Sequence, residues 1–227
     1  MKLSDLNSQK VSSYIFGVIG VIFLIIIISD QLANRPTAYS QALAKQREQK
    51  DLQFKNDPNG PIPLEKKSEF EGLAYFPVND EYKLDAAFVP NTQPDTLKLM
   101  TTTGEIREMV DAGKLRFQLH GLSHELIAYR YLDPTQSDFF VPFKDLTSGV
   151  ATYGGGRYLD IPSTEPITID FNQAYNPYCV YNESFSCPLP PRENTLTVEV
   201  RAGEVKFDWP IQLPRDTVSL RSSYHTL

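Results

Sequence analysis

The feature that most constrains this chain is an uncharged apolar segment near its N-terminus. The nineteen residues from Val11 to Ser29 include no charged side chain. A helix rises about 1.5 Å per residue, so this segment reaches roughly 28 Å, close to the thickness of a bilayer's hydrocarbon core. Only a helix satisfies its own backbone groups inside a bilayer. We therefore predict a transmembrane helix over residues 11–33, preceded by a short tail over residues 1–10.

The alternative interpretation of this segment is a cleaved secretory signal. A signal has a shorter apolar run and small residues before its cleavage site. Before Asn34 the small-x-small rule is met only by Ala33, with Gln31 at the other position. No cysteine directly follows the run, which argues against lipoprotein processing. These features favour an uncleaved anchor.

The orientation of the anchor is predicted from the charges that flank it. Lys2 and Lys10 precede the apolar run, and four basic residues follow it by Lys50, so simple positive-inside counting does not favour an exported domain. However, only Arg35 lies close to the helix end, and a short tail with a basic residue beside the run is typical of an exported domain. We predict a single-pass protein of the bacterial cell membrane with its domain on the exported, periplasmic or extracytoplasmic, side.

A polar helix and a linker are expected after the anchor, over residues 34–63. Thr37 can cap a helix that runs to about Phe54 and is dense in charged and amide side chains, as in a spacer. The cluster of Pro, Gly, Asn and Asp over residues 56–63 then predicts a turn or linker. The globular domain is accordingly placed at residues 64–210, with a tail over residues 211–227.

Alternating apolar and polar residues predict strands throughout that domain. Such patterns occur at residues 82–88, 96–100, 114–119 and 126–131, with Gly121 as a turn, and further strands are predicted at 139–143, 157–161, 167–171, 195–201 and 204–209. This many short strands indicates a mainly β domain, an antiparallel β-sandwich or a barrel-like sheet. The net charge of −6 argues against nucleic acid as a partner.

The two cysteines, Cys179 and Cys187, are separated by seven residues. Their even number and short spacing favour a loop-closing disulfide in an oxidising compartment. Reduced structural thiols and a metal or redox site are the alternatives. A metal would need further ligands, and the three histidines, His120, His124 and His225, lie far away in sequence. We predict no metal and no cofactor.

Polar residues in the C-terminal half form the other candidate site. Gly154, Gly155 and Gly156 precede Arg157, which suits either an anion-binding loop or a hairpin turn with a structural Arg–carboxylate pair. Neighbouring carboxylates could serve acid–base chemistry, although strand-end Asp and Asn residues more often cap turns. The candidate pocket comprises Asp145, Arg157, Asp170, Asn172, Asn176 and Glu193. His120 and His124 have a spacing that could hold a metal on a helix, but they flank Gly121 in a predicted hairpin.

Several stretches resemble one known family. They are residues 70–77, 143–149, 152–153, 156–159, 170–177, 179, 187–194 and 202–204, and they include an Asn-Pro-x-Cys…Cys-Pro-Leu-Pro-Pro-x-Glu-Asn signature. In these residues the chain resembles the uncharacterised bacterial family known as domain of unknown function 1684, roughly from Arg47 to Phe207. The resemblance implies no activity, substrate or cofactor. The membrane helix is not part of the family's pattern.

The sequence leaves three functions open. The first is a membrane-anchored accessory or ligand-binding module, whose partners are the bilayer through residues 11–33 and either an envelope membrane-protein complex or a small ligand near Arg157, Asp170 and the cysteine loop. The second is a hydrolase that uses Asp145, Arg157 and Asp170, with Glu193 as a further candidate. A thiol switch at the two cysteines is a third possibility.

Overall fold

The computed structural model describes Phe16, residues 18–25 and residues 36–209. Phe16 and residues 18–25 are helical. Within the described residues, no helix combines the length and the apolar character needed to cross a membrane. The rest of the predicted span 11–33, the tail at 1–10 and the tail at 211–227 lie outside the described residues, so the transmembrane helix stays a prediction.

The predicted polar helix is present as α1, Ala38–Asn56. Thr37 caps it as expected, because its hydroxyl accepts a hydrogen bond from the backbone N–H of Ser40 at 3.0 Å. At the other end Lys67 donates to the carbonyls of Phe54, Lys55 and Asp57, which satisfies groups that a helix C-terminus leaves free.

The chain divides into two compact units, and the boundary falls inside α1, between Gln46 and Arg47. The last part of α1 belongs to the second unit. Phe54 is buried there and packs edge-on against Tyr181, with ring centroids 5.4 Å apart. The β-rich unit therefore begins earlier than the predicted boundary at residue 64.

Within the described part of the second unit, up to residue 209, seven strands form one antiparallel sheet. They are β1 Lys83–Pro90, β2 Thr96–Met100, β3 Ile106–Leu119, β4 Leu122–Arg130, β5 Phe139–Phe143, β6 Arg157–Ile161 and β7 Thr168–Asp170. The order across the sheet is β6-β5-β4-β3-β1-β7, and β2 pairs with β3 as well. The sheet curves into a nearly closed barrel-like structure, so the barrel-like alternative is confirmed over the sandwich.

The long strand β3 changes partner along its length, which bends the sheet. Its first half pairs with β2 and its second half with β1, and a register shift between Asp111 and Gly113 separates the two halves. Gly113 has a φ of +141°, and a Cβ atom there would lie 2.3 Å from the carbonyl oxygen of Val89. Such a bulge increases local twist and bends a barrel strand.

The hairpin between β3 and β4 has a two-residue loop, His120 and Gly121, both with positive φ. This is the backbone that suits tight antiparallel hairpins. His120 is exposed at the tip, whereas His124 faces Phe117 on the neighbouring strand and stacks against it at 5.7 Å. The hairpin predicted here is confirmed.

The apolar core fills the concave side of the sheet. Its buried members are alternating residues of β3 to β7, residues beside β1 and β7, and Leu196, Val200 and Ala202, while β1 adds partly buried side chains; examples from the strands are Leu115, Phe117, Leu126, Val141, Leu159 and Ile169. Tyr158 of β6 exchanges two backbone hydrogen bonds with Tyr175, which follows β7, so the two ends of the sheet approach each other. This near-closure leaves little free strand edge.

The strands predicted at 195–201 and 204–209 are wrong. Neither segment forms a ladder: residues 197–198 are a bend, and the backbone hydrogen bonds to the barrel are separate ones, among them Leu196 to Lys144, Leu146 to Val198 and Val205 to Ala74. Their alternation arises because one side lies on the core, with Leu196 and Val200 buried, and not because they enter a ladder.

Candidate functional site

Arg157 begins β6 and is buried beneath the C-terminal segment. Its Nη2 donates to Asp145 Oδ2 at 2.9 Å and to the carbonyl of Val200 at 2.9 Å. Its Nη1 donates to the carbonyls of Ala202 and Glu204. Burial lowers the pKa of this guanidinium, while the charge of Asp145 raises it. Of the two alternatives for the glycine-rich loop, the geometry supports the structural Arg–carboxylate pair.

Asp145 follows β5, and both oxygen atoms of its carboxylate accept hydrogen bonds. Oδ1 accepts from the backbone and hydroxyl of Thr147 at 2.8 and 2.6 Å, and from the backbone N–H of Val200 at 3.2 Å. Oδ2 accepts from Arg157. This geometry suits a brace between β5, β6 and the C-terminal segment.

Asp170 and Asn172 lie at the end of β7 and organise the turn that follows. Asp170 accepts from the backbone and side chain of Asn172 at 3.1 Å and from Gln173 at 2.9 Å. Asn172 also exchanges two hydrogen bonds with Asn79, since it accepts from the Asn79 N–H and donates to its carbonyl. These contacts are those of a capped turn tied to the segment before β1.

Asn176 belongs to a third group, centred on Glu204. The Asn176 N–H donates to Glu204 Oε2 at 2.8 Å, and its amide donates to the carbonyl of Val205 at 2.8 Å. The Tyr181 hydroxyl also reaches Oε2 at 2.8 Å, and Lys50 Nζ pairs with Oε1 at 2.6 Å. Burial, followed by the charge of Glu204, raises the pKa of Tyr181.

Sequence analysis did not predict Glu204 as a site residue. In the structure it is a buried carboxylate, with only 1% of its surface exposed. It fixes α1 to the C-terminal segment through Lys50. The available signal was its position within the family-like stretch 202–204, where a charged residue follows a glycine.

Glu193 is exposed, and its neighbour Asn194 has the structural role. The buried Asn194 amide accepts from the Ile127 N–H at 2.7 Å and donates to the carbonyls of Ile127 and Pro142 at 2.9 and 2.8 Å. The ladder register between β4 and β5 contains only the pair Tyr129 and Phe140, so this side chain supplies bonds that the ladder lacks there.

The six polar candidates therefore have different partners. Asp145 and Arg157 pair with each other, Asp170 with Asn172, and Asn176 with Glu204, while Glu193 faces solvent. The contacts assign structural roles to the buried members. Reactive groups that remain accessible lie at a different site.

Such a site lies at the two cysteines. Cys179 sits in a single helical turn, Tyr178–Val180, and is half-buried, whereas Cys187 is buried. The backbone N–H of Cys179 donates to Cys187 Sγ at 3.3 Å. Both are free thiols here, and the predicted disulfide is the product that their oxidation would form.

The hairpin between β2 and β3 holds Cys187 in place. Thr102 N–H donates to the Cys187 carbonyl at 2.9 Å, and the Cys187 N–H donates to the Thr102 hydroxyl at 3.2 Å. The sulfur belongs to a buried cluster with Leu99, Met109 and Tyr158. Cys187 is thus part of the apolar cluster, while Cys179 packs against the cluster and stays half-buried.

The two thiols differ in acidity. A hydrogen bond from the Cys187 thiol, together with bonds from Thr102 and Tyr153, lowers the pKa of Cys179 to about 7 against the opposing effect of burial. The same bond to Cys179, followed by burial, raises the pKa of Cys187. Burial and the nearby charge of Cys179 also raise the pKa of Tyr153. Sequence reasoning missed Thr102 and Tyr153, because both are far from Cys179 along the chain.

Cys179 opens into a cleft of about 790 Å³. Its walls include Thr102, Thr103, Tyr153, Tyr181 and Trp209, with Lys66, Lys206, Glu65 and Glu183 adding charges of both signs. Its volume falls within the range of small-molecule sites, and it contains polar groups and a thiol of shifted pKa. We name it the cysteine cleft.

A second cavity, of about 870 Å³, lies on β1, β3 and β4, and its lining includes Leu84, Ala86, Phe117 and His124. It contains no cysteine and is the natural control for experiments on the cysteine cleft. Across residues 36–209 and the short helical stretch before them, no group of three or more His, Cys, Asp or Glu side chains could hold a metal ion.

Comparisons with known proteins agree with the resemblance in the sequence. A family model described as protein of unknown function (DUF1684) matches residues 68–205. The chain is also similar to a solved structure, the solution NMR structure of an uncharacterized protein of Haloarcula marismortui. That similarity has 36% identity and a TM-score of 0.60, and it covers 74% of this chain and 94% of the other. No match was found among curated proteins.

Proposed function

This chain belongs to the DUF1684 family of proteins of unknown function, and we propose that it is a membrane-anchored accessory module that binds a small polar ligand in the cysteine cleft. The observation that carries the proposal is the cleft itself, about 790 Å³ in volume, with a thiol, two threonine hydroxyls and aromatic rings on its walls. Pockets of this kind fix the orientation of a ligand through a few polar groups and bury the rest of it against rings.

The side chains of the cleft define the chemistry of the ligand. Lys66 and Lys206 are balanced by Glu65 and Glu183, so the walls have no net formal charge. Lys66 Nζ lies 4.7 Å from the ring centroid of Trp209. A neutral or zwitterionic polar compound with a planar group matches this lining, because it can stack on a ring and bond to both charge signs.

The uncharged segment from Val11 to Ser29 supports the membrane part of the proposal. The tether would keep the cysteine cleft near the bilayer on the exported side, within reach of an envelope membrane-protein complex. Fusion of alkaline phosphatase, which is active only after export, to the C-terminus tests the orientation. Activity comparable to that of an exported control is expected, and an inactive fusion at equal protein level would overturn the exported side.

Native mass spectrometry of the full chain tests ligand binding, after gentle detergent extraction from its own membrane. We expect a bound small molecule that is lost in Thr103→Phe, which fills the cysteine cleft, and retained in Gln118→Phe, which fills the second cavity instead. A wild-type chain without added mass, or a Thr103→Phe chain that keeps it, would contradict the proposal. A co-purifying subunit would identify the complex.

A further inference from the structure

The cysteine cleft places two chemically unequal thiols next to each other at a surface opening. We propose that Cys179 and Cys187 are a redox-active pair that exchanges with disulfides of other thiol compounds, with Cys179 as the attacking and Cys187 as the resolving cysteine. The substrate class is a low-molecular-weight or protein disulfide that reaches Cys179 through the cysteine cleft.

The different exposure of the two sulfurs assigns their roles. Cys179 lines the cleft and is half-buried, so an external disulfide can reach it. Cys187 is 7% exposed and packs among Leu99, Met109 and Tyr158, so it reacts with Cys179 and not directly with the external disulfide. An accessible attacking sulfur beside a shielded partner is the arrangement of thiol–disulfide exchange sites.

The loop between the cysteines is already held in place by several contacts. Ser186 donates to Thr101 at 2.8 Å and contacts Thr103 at 2.7 Å, while the rings of Tyr178 and Phe185 meet edge-on at 5.4 Å. Cys179 N–H already points at Cys187 Sγ. Closing the bridge therefore orders few additional residues, which keeps the entropic cost of closure small.

Hydrogen-bond donors around Cys179 stabilise the reactive anion. The pKa of Cys179 is lowered to about 7 by the Cys187 thiol first and then by Thr102 and Tyr153, which come from different parts of the chain, so the thiolate is populated near neutral pH. Only the thiolate is the nucleophile, and an attacking thiol whose pKa lies near the ambient pH exchanges fastest.

The exchange balances without any further reactant. The Cys179 thiolate attacks one sulfur of the external disulfide, forming a mixed disulfide and releasing one thiolate, which takes up a proton. Cys187 then loses its proton and attacks Cys179 Sγ, which forms the Cys179–Cys187 bond and releases the second thiol. The protein pair is oxidised by two electrons, and the external disulfide is reduced to two thiols.

Oxidised glutathione is a suitable probe for the full-length chain, reduced and held in detergent. Wild type should release two equivalents of glutathione and keep no adduct, with neither cysteine available for alkylation afterwards. Cys187→Ser should release one equivalent and retain glutathione on Cys179, seen by intact-mass and peptide analysis. Cys179→Ser should show no rapid phase, since its remaining sulfur is buried.

Three results would overturn the assignment: wild-type thiols that stay free after the reaction, a Cys187→Ser chain without an adduct, or a Cys179→Ser chain that still reacts rapidly. Because Cys187 packs in the core, Cys187→Ala provides a second resolving-cysteine variant, and the thermal unfolding of each variant is compared with that of wild type. If one variant fails to fold, a brief pulse of iodoacetamide on wild type still decides the order, with Cys179 labelled first.

The exchange uses the same cleft as the proposed ligand but does not require that ligand. Native mass spectrometry of Cys179→Ser separates the two ideas. If Cys179→Ser keeps the bound molecule but loses glutathione exchange, both proposals are supported. If the wild-type chain exchanges with glutathione but has no bound molecule, only the ligand proposal is contradicted.

Discussion

Arg157 Nη2 lies 2.9 Å from Asp145 Oδ2, and the side chain of each residue is only 1% exposed. The same guanidinium donates to the carbonyls of Val200 and Ala202, so it joins the end of β5 and the start of β6 to a segment that forms no strand. A charged pair takes the place that ladder hydrogen bonds have elsewhere in the sheet. The C-terminal segment is therefore held by buried side chains in addition to separate backbone hydrogen bonds.

Replacing Asp145 should test this brace. Asp145→Ala leaves Arg157 buried without its counter-charge, and breaking a buried pair from one side costs about 3–5 kcal/mol of unfolding free energy. Glu199→Ala is the matched control, because Glu199 pairs with Arg201 at 2.6 Å while both side chains are about half exposed. That change should cost less than about 1 kcal/mol. Urea unfolding of the full chain in detergent, followed by the fluorescence of its single tryptophan, measures both; equal losses would contradict the prediction.

Asn194 should contribute to stability as much as a core residue does. Asn194→Ala removes three hydrogen bonds and leaves the Ile127 N–H and the Pro142 carbonyl without the amide as a partner. Each buried group that loses its partner costs about 1–3 kcal/mol of unfolding free energy. We expect a loss of about 3 kcal/mol or more in the same unfolding assay. Glu193→Ala changes the exposed neighbour and should stay within about 0.5 kcal/mol of wild type. A tolerant Asn194→Ala would show that the β4–β5 contact does not depend on this amide.

Much of the fold could be predicted because it is local. Thr37 as a helix cap and the strands with a period of two depend on residues that are close in sequence, and both are present. The first half of β3 was missed because its sheet face is mostly exposed, so apolar alternation is weak from Ile106 to Glu108. The segment 195–201 has the alternation of a strand but bonds to Lys144 and Leu146 at separate points, which only long-range packing decides.

The candidate site was harder to predict, for a related reason. Asp145, Arg157 and Asp170 were noticed as polar residues in turn-rich stretches, but the same patterns serve capped turns and buried pairs. Whether a carboxylate is available for chemistry depends on donors such as the Val200 N–H, which lies 55 residues away from Asp145 in sequence. The cysteines were found from their spacing, whereas Tyr153, which helps to acidify Cys179, lies in the family-like stretch 152–153 with nothing there to connect it to Cys179.

The three consecutive glycines before Arg157 should differ sharply in tolerance. Gly156 has a φ of +97°, and a Cβ atom there would lie 2.6 Å from the Phe143 carbonyl oxygen. Gly156→Ala should therefore lose about 1–3 kcal/mol from the left-handed backbone alone, with the clash adding to it. Gly154→Ala is the control, since its nearest contact, to Gly149, is an ordinary 3.5 Å. Thermal unfolding monitored by circular dichroism compares them, and similar melting temperatures would show that the loop can adjust.

The acidity of Cys179 should appear directly in the pH profile of its alkylation. Its pKa is lowered from 9.0 to about 7, so the thiolate, which reacts with iodoacetamide, forms as the pH rises through about 7. The rate at Cys179 should therefore reach half its maximum near pH 7, while Cys187, whose pKa is shifted upward, stays unreactive across that range. Peptide mass spectrometry of the full chain separates the two sites.

Tyr153→Phe should move that profile toward higher pH, because it removes one hydrogen bond that stabilises the thiolate. The variant should react more slowly than wild type at pH 7. At a pH where Cys179 is fully ionised in both proteins, the two rates should be equal. A change in the access of the reagent to Cys179 would not make the rates converge. Tyr178→Phe serves as the control, since Tyr178 contacts the Phe185 ring on the same loop and its hydroxyl is not among the donors to Cys179. If Tyr153→Phe leaves the midpoint unchanged, or if Tyr178→Phe shifts it equally, the thiolate is not stabilised by the Tyr153 hydroxyl.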